Sequence, residues 1–180
     1  MTCIVGYIDK QNKSVTIGAD SAAVSDADIT IRKDVKVFKN KDFVIGCTSS
    51  FRMIQLLRFS FKPPEITKDL YEYMCTDFID EVRECFRRGG YLQKDEKGDE
   101  KGGSFLVAYK DRILSIEDDF QVGESVDQFA AIGCGAQYAL GTLYTIEKMV
   151  LPSNDKVMLA LKSASYFSGA VQEPFILEST

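Results

Sequence analysis

The sequence contains no histidine, and this absence excludes several common kinds of active site. Without an imidazole the chain cannot form a Ser-His-Asp triad or a Cys-His dyad, and it cannot bind a metal through histidine. If the protein hydrolyses its substrate, the general base must therefore be an amine or a carboxylate.

Cysteines are few and are not paired in sequence. There are five of them, an odd number, and none forms a C-x-x-C pair. This pattern argues against a complete disulfide framework and against a zinc site. We expect neither a metal nor a cofactor.

Long apolar runs and an excess of positive charge are also missing. No stretch approaches the roughly 20 apolar residues that span a bilayer, and the N-terminus lacks the basic and apolar regions of a signal peptide. The net charge is −5, which argues against nucleic acid and anionic membranes as partners. We therefore expect a cytoplasmic protein that binds neither nucleic acid nor membrane.

The length and the order of the predicted elements indicate one layered domain. A chain of 180 residues can bury a substantial core, and we expect a single domain over residues 1–180. The hydrophobic patterns predict strands, then two helices, then strands, then two helices, rather than alternating βαβ units. This order favours an α+β fold in which two antiparallel sheets face each other between helix pairs, a four-layer α-β-β-α sandwich.

Apolar and β-branched runs locate the strands, while cap residues, apolar stripes and glycine or proline stops locate the helices. The predicted strands are a hairpin over Thr2–Asp20, then Ile29–Arg32, Val35–Phe38, Phe43–Cys47, Ser104–Tyr109, Arg112–Glu117 and Phe129–Ile132. The predicted helices are Phe51–Phe61, Thr67–Arg88, Ala136–Met149 and Ser153–Phe167. Ala22–Asp28 is a predicted loop, and the charged, glycine-rich Lys94–Gly103 is a predicted mobile surface loop.

The most informative feature is Thr2, directly behind the initiator Met. Removal of Met1 would give this one residue a hydroxyl nucleophile and an α-amine base, whose ordinary pKa of about 7.7–8.0 suits proton transfer at neutral pH. Asp20 ends a second apolar run, and Lys36 follows it by sixteen residues. A lysine ammonium beside the threonine would lower the pKa of the amine and stabilise an alkoxide, and the aspartate would keep that lysine charged and oriented.

These segments resemble the N-terminal half of a proteasome β-type subunit, and most closely the bacterial HslV-type peptidase. The matching stretches read TCIVGYID, TIGAD, KVF and VIGCTSS, with AIGCG later in the chain. The resemblance covers most of the chain, with Lys94–Gly103 matching least. It implies the N-terminal-nucleophile hydrolase fold, which is the same four-layer sandwich.

The resemblance also implies roles for individual residues. Thr2 would be the nucleophile, and Asp20 would orient Lys36, which tunes the amine. Cys47, or Gly46 if the register differs by one residue, would supply the N–H that binds the oxyanion. Cys134 stands where the family has a serine that manages the proton of the amine, and Ser168 fills a nearby serine position.

Other residues compete for these roles or depart from the family pattern. Arg32 and Lys33 could also provide the basic group, but they fit the spacing less well than Lys36. Near the C-terminus the family has an aspartate that contacts this group, whereas the matching region here offers Ser165 or Tyr166.

We therefore expect a threonine-type endopeptidase that cuts unfolded polypeptides inside a homo-oligomeric ring and requires removal of Met1. An ATPase unfoldase partner is implied by the resemblance only. Two other functions remain open: an inactive structural subunit of the same fold that keeps Met1, and an N-terminal-nucleophile amidohydrolase acting on a small amide.

Overall fold

The computed structural model describes residues 2–26, 28–94, 98 and 100–180. The strands are β1 (Cys3–Asp9), β2 (Ser14–Ala19), β3 (Ala22–Ser25), β4 (Asp28–Ile31), β5 (Val37–Asn40), β6 (Phe43–Cys47), β7 (Gln93–Lys94), β8 (Glu100–Lys101), β9 (Phe105–Tyr109), β10 (Arg112–Ile116), β11 (Val122–Gly123), β12 (Phe129–Gly133) and β13 (Ile176–Ser179). The helices are α1 (Phe51–Phe59), α2 (Leu70–Tyr73), α3 (Ile79–Arg88), α4 (Ala136–Ile146) and α5 (Ser153–Phe167), with a π-helical turn (Met74–Phe78) joining α2 to α3.

Two antiparallel sheets form the centre of the fold. The first has the strand order β12-β1-β2-β13, and the second has the order β11-β10-β9-β6-β5. In the first sheet Cys3 pairs with Gly133 and Ile4 pairs with Ala19. The start of β1 therefore lies beside the end of β2 and the end of β12.

Three apolar layers hold the sheets and helices together. Between the sheets lie short aliphatic side chains, including Ile4, Ile17 and Leu106. The second sheet packs its other face on α1, α2 and α3 through an aromatic-rich core, and the first sheet packs on α4 and α5. This arrangement confirms the predicted α+β class and the four-layer α-β-β-α order.

The close approach of the two sheets depends on a glycine in β6. A methyl group at Gly46 would come within 2.6 Å of Ile4 Cγ2 and 2.8 Å of Ile17 Cγ2, both in the first sheet. Because real methyl groups do not approach so closely, a side chain there would push the sheets apart.

Most predicted elements are present, and several boundaries differ. β6 and α5 have the predicted bounds, while α1 ends at Phe59 rather than Phe61. The predicted helix over Thr67–Arg88 begins at Leu70, where Asp69 caps it by accepting hydrogen bonds from the N–H groups of Tyr71 and Glu72.

Two segments predicted as loops contain short strands. Ala22–Ser25 pairs with β4, so the predicted loop over Ala22–Asp28 is wrong there, while Ala27 lies outside the described residues. Within the predicted loop Lys94–Gly103, Lys94 pairs with Glu100. Residues 95–97 and 99 of that prediction lie outside the described residues.

The strand β13 was not predicted from the sequence. It pairs with β2 in antiparallel register, with Ile176 opposite Ala19 and Ser179 opposite Thr16. It covers the edge of β2 that leads directly to Asp20.

Candidate active site

Thr2 lies at the point where β1 enters the first sheet, and it is buried. β1 and β2 form a hairpin that brings Asp20, just after β2, next to Thr2. Lys36 immediately precedes β5 in the second sheet, so its side chain crosses from one sheet to the other. The sandwich thus places a threonine, an aspartate and a lysine from three separate segments at one end of the molecule.

The Lys36 ammonium joins the other two side chains. Its Nζ donates to Thr2 Oγ1 at 2.8 Å and to Asp20 Oδ1 and Oδ2 at 2.9 and 3.0 Å. Asp20 and Lys36 are 1% and 2% exposed, so the ion pair is shielded from solvent. Such a pair persists inside a protein when its hydrogen-bonding capacity is satisfied.

Asp20 is satisfied by four hydrogen bonds from two sources. Besides the two bonds from Lys36, Oδ1 accepts from the Cys3 N–H and Oδ2 accepts from the Ala22 N–H, both at 3.0 Å. The carboxylate is therefore fixed by backbone N–H groups of β1 and β3, and it orients the Lys36 ammonium through both of its oxygens.

The buried setting changes the acid–base behaviour of neighbouring groups. Burial lowers the pKa of Lys36 from its ordinary value of 10.5, and the Asp20 carboxylate opposes that change. Burial, assisted by the negative charge of Asp20, raises the pKa of the Cys3 thiol to about 12. Cys3 is therefore an inert core thiol.

Cys134 and Ser168 lie on the other side of Thr2. The Thr2 N–H donates to Cys134 Sγ at 3.3 Å, and the thiol donates to the Thr2 carbonyl oxygen at 3.4 Å. Ser168 Oγ lies 4.0 Å from the same sulfur. Cys134 therefore contacts the nitrogen that would become the free amine.

The backbone beside Cys134 requires glycine. Gly133 has φ +93°, and a side chain there would overlap the carbonyl oxygen of Thr2. Glycine alone adopts this conformation readily and leaves room for that carbonyl group.

The structure does not leave the Cys47 N–H available for an oxyanion, so that prediction is wrong. This N–H already donates to the Lys36 carbonyl oxygen at 2.8 Å, one residue beyond the pairing of β5 with β6. Gly46, the other predicted donor, lies inside β6 and pairs with Val37 on one side and Leu106 on the other. The Cys47 side chain still lines the cleft that contains Thr2.

Ser49 offers the N–H that sequence reasoning missed. The Thr48 N–H donates to the Ser104 carbonyl oxygen, and the Ser50 N–H donates to the Thr48 carbonyl oxygen. Within the described chain no acceptor bonds the Ser49 N–H, and Ser49 lines the same cleft as Thr2. Its φ of +64° is a property of the folded turn that no local sequence pattern indicated.

The cleft beside Thr2 has a volume of about 110 Å³. Lys36 and the polar turn border it on one side, and apolar side chains line the rest: Ala23, Val24, Phe51 and Ile54. Arg32 contributes its guanidinium at 4.0 Å above the Phe51 ring and forms an ion pair with Asp34. Arg32 therefore supports the cleft wall, while Lys33 is exposed at the surface.

Neither a metal cluster nor a membrane-spanning helix occurs in the part of the chain that the structure describes. The acidic and thiol side chains described do not gather into a group of three or more that could hold an ion. The described helices are too short or too polar to cross a bilayer.

Comparison with solved structures identifies the fold. BPH of Thiobacillus denitrificans, solved in complex with epoxomicin, superposes with a TM-score of 0.80 and 19% identity over 98% of this chain and 97% of that one. The chain has the proteasome β-type, HslV-like N-terminal-nucleophile fold. The HslV of Trypanosoma brucei has the same fold, with a TM-score of 0.70 and 17% identity over 99% of this chain and 98% of that one.

Anbu from Yersinia bercovieri, described as an ancestral β-subunit, has a TM-score of 0.68 and 14% identity over 99% of this chain and 81% of its own. No protein-family model and no curated protein matches the sequence. The fold resemblance stated from the sequence motifs is thus confirmed by the solved structures.

Proposed function

We propose that the protein is a threonine-type peptidase subunit that acts in the cytoplasm through Thr2 after Met1 has been removed. The observation that carries this proposal is the buried set in which Lys36 Nζ bonds both Thr2 Oγ1 and the Asp20 carboxylate. Thr2 Oγ1 attacks the substrate carbonyl carbon, and the α-amine takes the hydroxyl proton. The charged lysine stabilises the alkoxide as it forms.

The remaining steps follow from the same residues. The Ser49 N–H donates to the oxyanion of the tetrahedral intermediate, which collapses to an ester on Thr2 as the departing amine takes the proton. Water then attacks the ester as the α-amine accepts one of its protons, and the α-ammonium returns that proton to Thr2 Oγ1, which leaves as the free hydroxyl and releases the acid product. Cys134, which contacts the Thr2 nitrogen, holds that amine in place, and together with Ser168, 4.0 Å from its sulfur, it relays the proton of the amine.

The substrate we propose is an unfolded polypeptide, and the working form is a homo-oligomeric ring. Solved structures with this fold include an HslV and an ancestral β-subunit, which supports a ring subunit over a single-chain hydrolase. Large apolar side chains are exposed on α4 and at the end of α5, among them Tyr144, Tyr166 and Phe167. Such a patch is characteristic of a surface buried by another subunit. An ATPase that unfolds substrates would supply the chain to the ring.

The test uses protein in which Met1 has been removed, verified by intact mass, and a matched form that retains it. We expect the processed protein to cleave fluorogenic peptides and to gain the mass of one epoxomicin molecule, the ligand bound in the Thiobacillus denitrificans structure. The Met1-retaining form and the Thr2→Ala variant should do neither. Cleavage that survives Thr2→Ala would refute the proposal, and cleavage of small amides without peptides would favour an amidohydrolase.

A further inference from the structure

The turn between β6 and α1 is unusual because the chain leaves its antiparallel pairing with β9 at Thr48, where only one of the two expected backbone hydrogen bonds forms. β6 pairs with β9 up to Cys47 opposite Phe105, and the Thr48 N–H continues the pattern by donating to the Ser104 carbonyl oxygen at 3.2 Å. In a regular antiparallel ladder the Ser104 N–H would donate back to the Thr48 carbonyl oxygen. That oxygen instead accepts from the Ser50 N–H at 2.8 Å.

The Ser49 hydroxyl replaces the missing acceptor. The Ser104 N–H donates to Ser49 Oγ at 3.1 Å, so the pair of bonds between the two segments is completed through a side chain. The Ser50-to-Thr48 bond closes a tight turn centred on Ser49, whose φ of +64° lies in the left-handed region. That region is unfavourable for a residue with a side chain, and it needs a specific contact to persist.

The turn has a chemical consequence at the cleft. The Ser50 N–H is used within the turn, and the Thr48 N–H donates to the Ser104 carbonyl oxygen. The Ser49 N–H bonds no acceptor within the described chain, and Ser49 lines the cleft beside Thr2. Its direction is set by the peptide plane between Thr48 and Ser49. A rotation of that plane would change the direction of the donor.

We propose that the Ser49 hydroxyl is a positioning group that locks the oxyanion-binding N–H through its bond with the Ser104 N–H. This inference rests on the proposed peptidase function. It adds to that function a residue whose side chain fixes the direction of its own backbone N–H. Ser104 is itself held in place, since its Oγ donates to Glu117 at 3.3 Å. The hydrogen bond between the Ser104 N–H and Ser49 Oγ therefore connects the cleft to the start of β9.

The decisive comparison is between Ser49→Gly and Ser49→Ala in the processed protein. Glycine adopts φ +64° without strain, so it would serve at least as well as serine if the N–H alone mattered. If the hydroxyl is required, both variants should lower kcat for peptide amides about tenfold or more, and KM should stay within about twofold of the wild-type value. This is less than the 10²–10³-fold cost of removing an oxyanion donor, because the donor is displaced rather than lost.

A second measurement follows the lock without turnover. Hydrogen exchange at the Ser104 amide should become faster in both Ser49 variants, because its acceptor has been deleted. Ser153→Ala is the control, since it removes a different side-chain bond, from Ser153 Oγ to Asp9 Oδ2, at the far end of β1. It should leave both kcat and Ser104 exchange unchanged.

The outcomes separate the two proposals. Wild-type kcat in Ser49→Gly, or unchanged exchange at Ser104, would overturn the positioning role while leaving Thr2 as the nucleophile. Absence of peptide cleavage by the processed wild-type protein would overturn the proposed function and the positioning role together.

Discussion

At the scale of single residues, the Asp20–Lys36 pair dominates the energetics of the site. The pair is buried and hydrogen-bonded on all sides, so removing one charge leaves the other without its counter-ion. We expect Asp20→Asn to lower the free energy of unfolding by roughly 3–5 kcal/mol, as is typical when a buried pair is broken. Urea denaturation measures this loss.

The double variant Asp20→Asn with Lys36→Met provides the matched control. It removes both charges, so it should recover at least about half of the stability that Asp20→Asn loses, while both variants remain inactive. A double variant no more stable than Asp20→Asn would mean that the buried charge is not the source of the cost.

The lowered pKa of Lys36 has opposite effects on activity and stability. Burial, the larger influence, favours the neutral amine in the folded protein, and Asp20 only partly opposes this. The site loses its charged donor as pH rises through the folded pKa, so we expect kcat/KM to fall on an alkaline limb below 10.5. A pH–rate profile with a limb at or above 10.5 would contradict this assignment.

The free energy of unfolding should instead rise with pH in the same range. Between the lowered folded pKa and the ordinary value of 10.5, the unfolded chain binds more protons at this site than the folded chain does. The contribution of Lys36 to the free energy of unfolding therefore rises with pH in that window. Lys36→Met should lack this rise, which is read from denaturation curves at several pH values.

The sequence predicted the three central residues of the candidate site but not all its parts. Thr2, Asp20 and Lys36 could be selected because their chemistry and spacing are visible in one dimension, and because a chain without histidine cannot use an imidazole as its base. The N–H donor could not be selected. Every residue except proline has an N–H, and its availability depends on which carbonyl groups the folded chain brings near it, as Cys47 and Ser49 demonstrate.

At the scale of secondary structure, the pairing of β12 with β1 fixes the position of Thr2. Gly133 allows the chain to turn at the end of β12 next to the Thr2 carbonyl group. We expect Gly133→Ala to cost at least about 2 kcal/mol of stability, since it combines a forbidden backbone conformation with a steric overlap. Thermal denaturation and peptide cleavage should both report the damage.

Gly141→Ala is the matched control for that substitution. Gly141 lies inside α4, and a methyl group there would meet no atom within 4 Å. We expect a gain of about 0.5–1 kcal/mol, because alanine is the better helix former. Equal effects from the two substitutions would contradict the structural roles assigned to these glycines.

Elements with strong local signals were predictable, and those stabilised by distant partners were not. α5 has a proline before it and a regular apolar pattern, and its predicted bounds agree with the structure. By contrast, β13 has only four residues and forms because β2 offers it an edge, more than 150 residues earlier in the chain. Ala22–Ser25 is rich in alanine, which is not a strong strand former, and it becomes a strand through pairing with β4.

At the scale of the whole molecule, the exposed aromatic side chains of α4 and α5 allow a test of assembly. Native mass spectrometry should find a homo-oligomer, and the combined substitution Tyr144→Glu and Tyr166→Glu should reduce its mass without unfolding the subunit. These side chains are 76% and 85% exposed, so the charges cost little within one subunit but oppose burial against another.

Phe59→Glu is the control for assembly, because Phe59 is also exposed, at 73%, but lies on α1 in the opposite outer layer. It should leave the oligomer intact. An oligomer that dissociates equally with Phe59→Glu would mean that the α4–α5 face has no special part in assembly, and a wild-type monomer would contradict the ring.

The antiparallel pairing of β1 with β12 also determines when the site can form during translation. The neighbour of the Thr2 nitrogen, Cys134, lies 132 positions downstream of Thr2. A ribosome adding about 5–20 residues per second needs at least several seconds to deliver that thiol. Thr2 is therefore present for several seconds of translation before Cys134 exists to contact its nitrogen, so the proposed chemistry can begin only after residue 134 has been added.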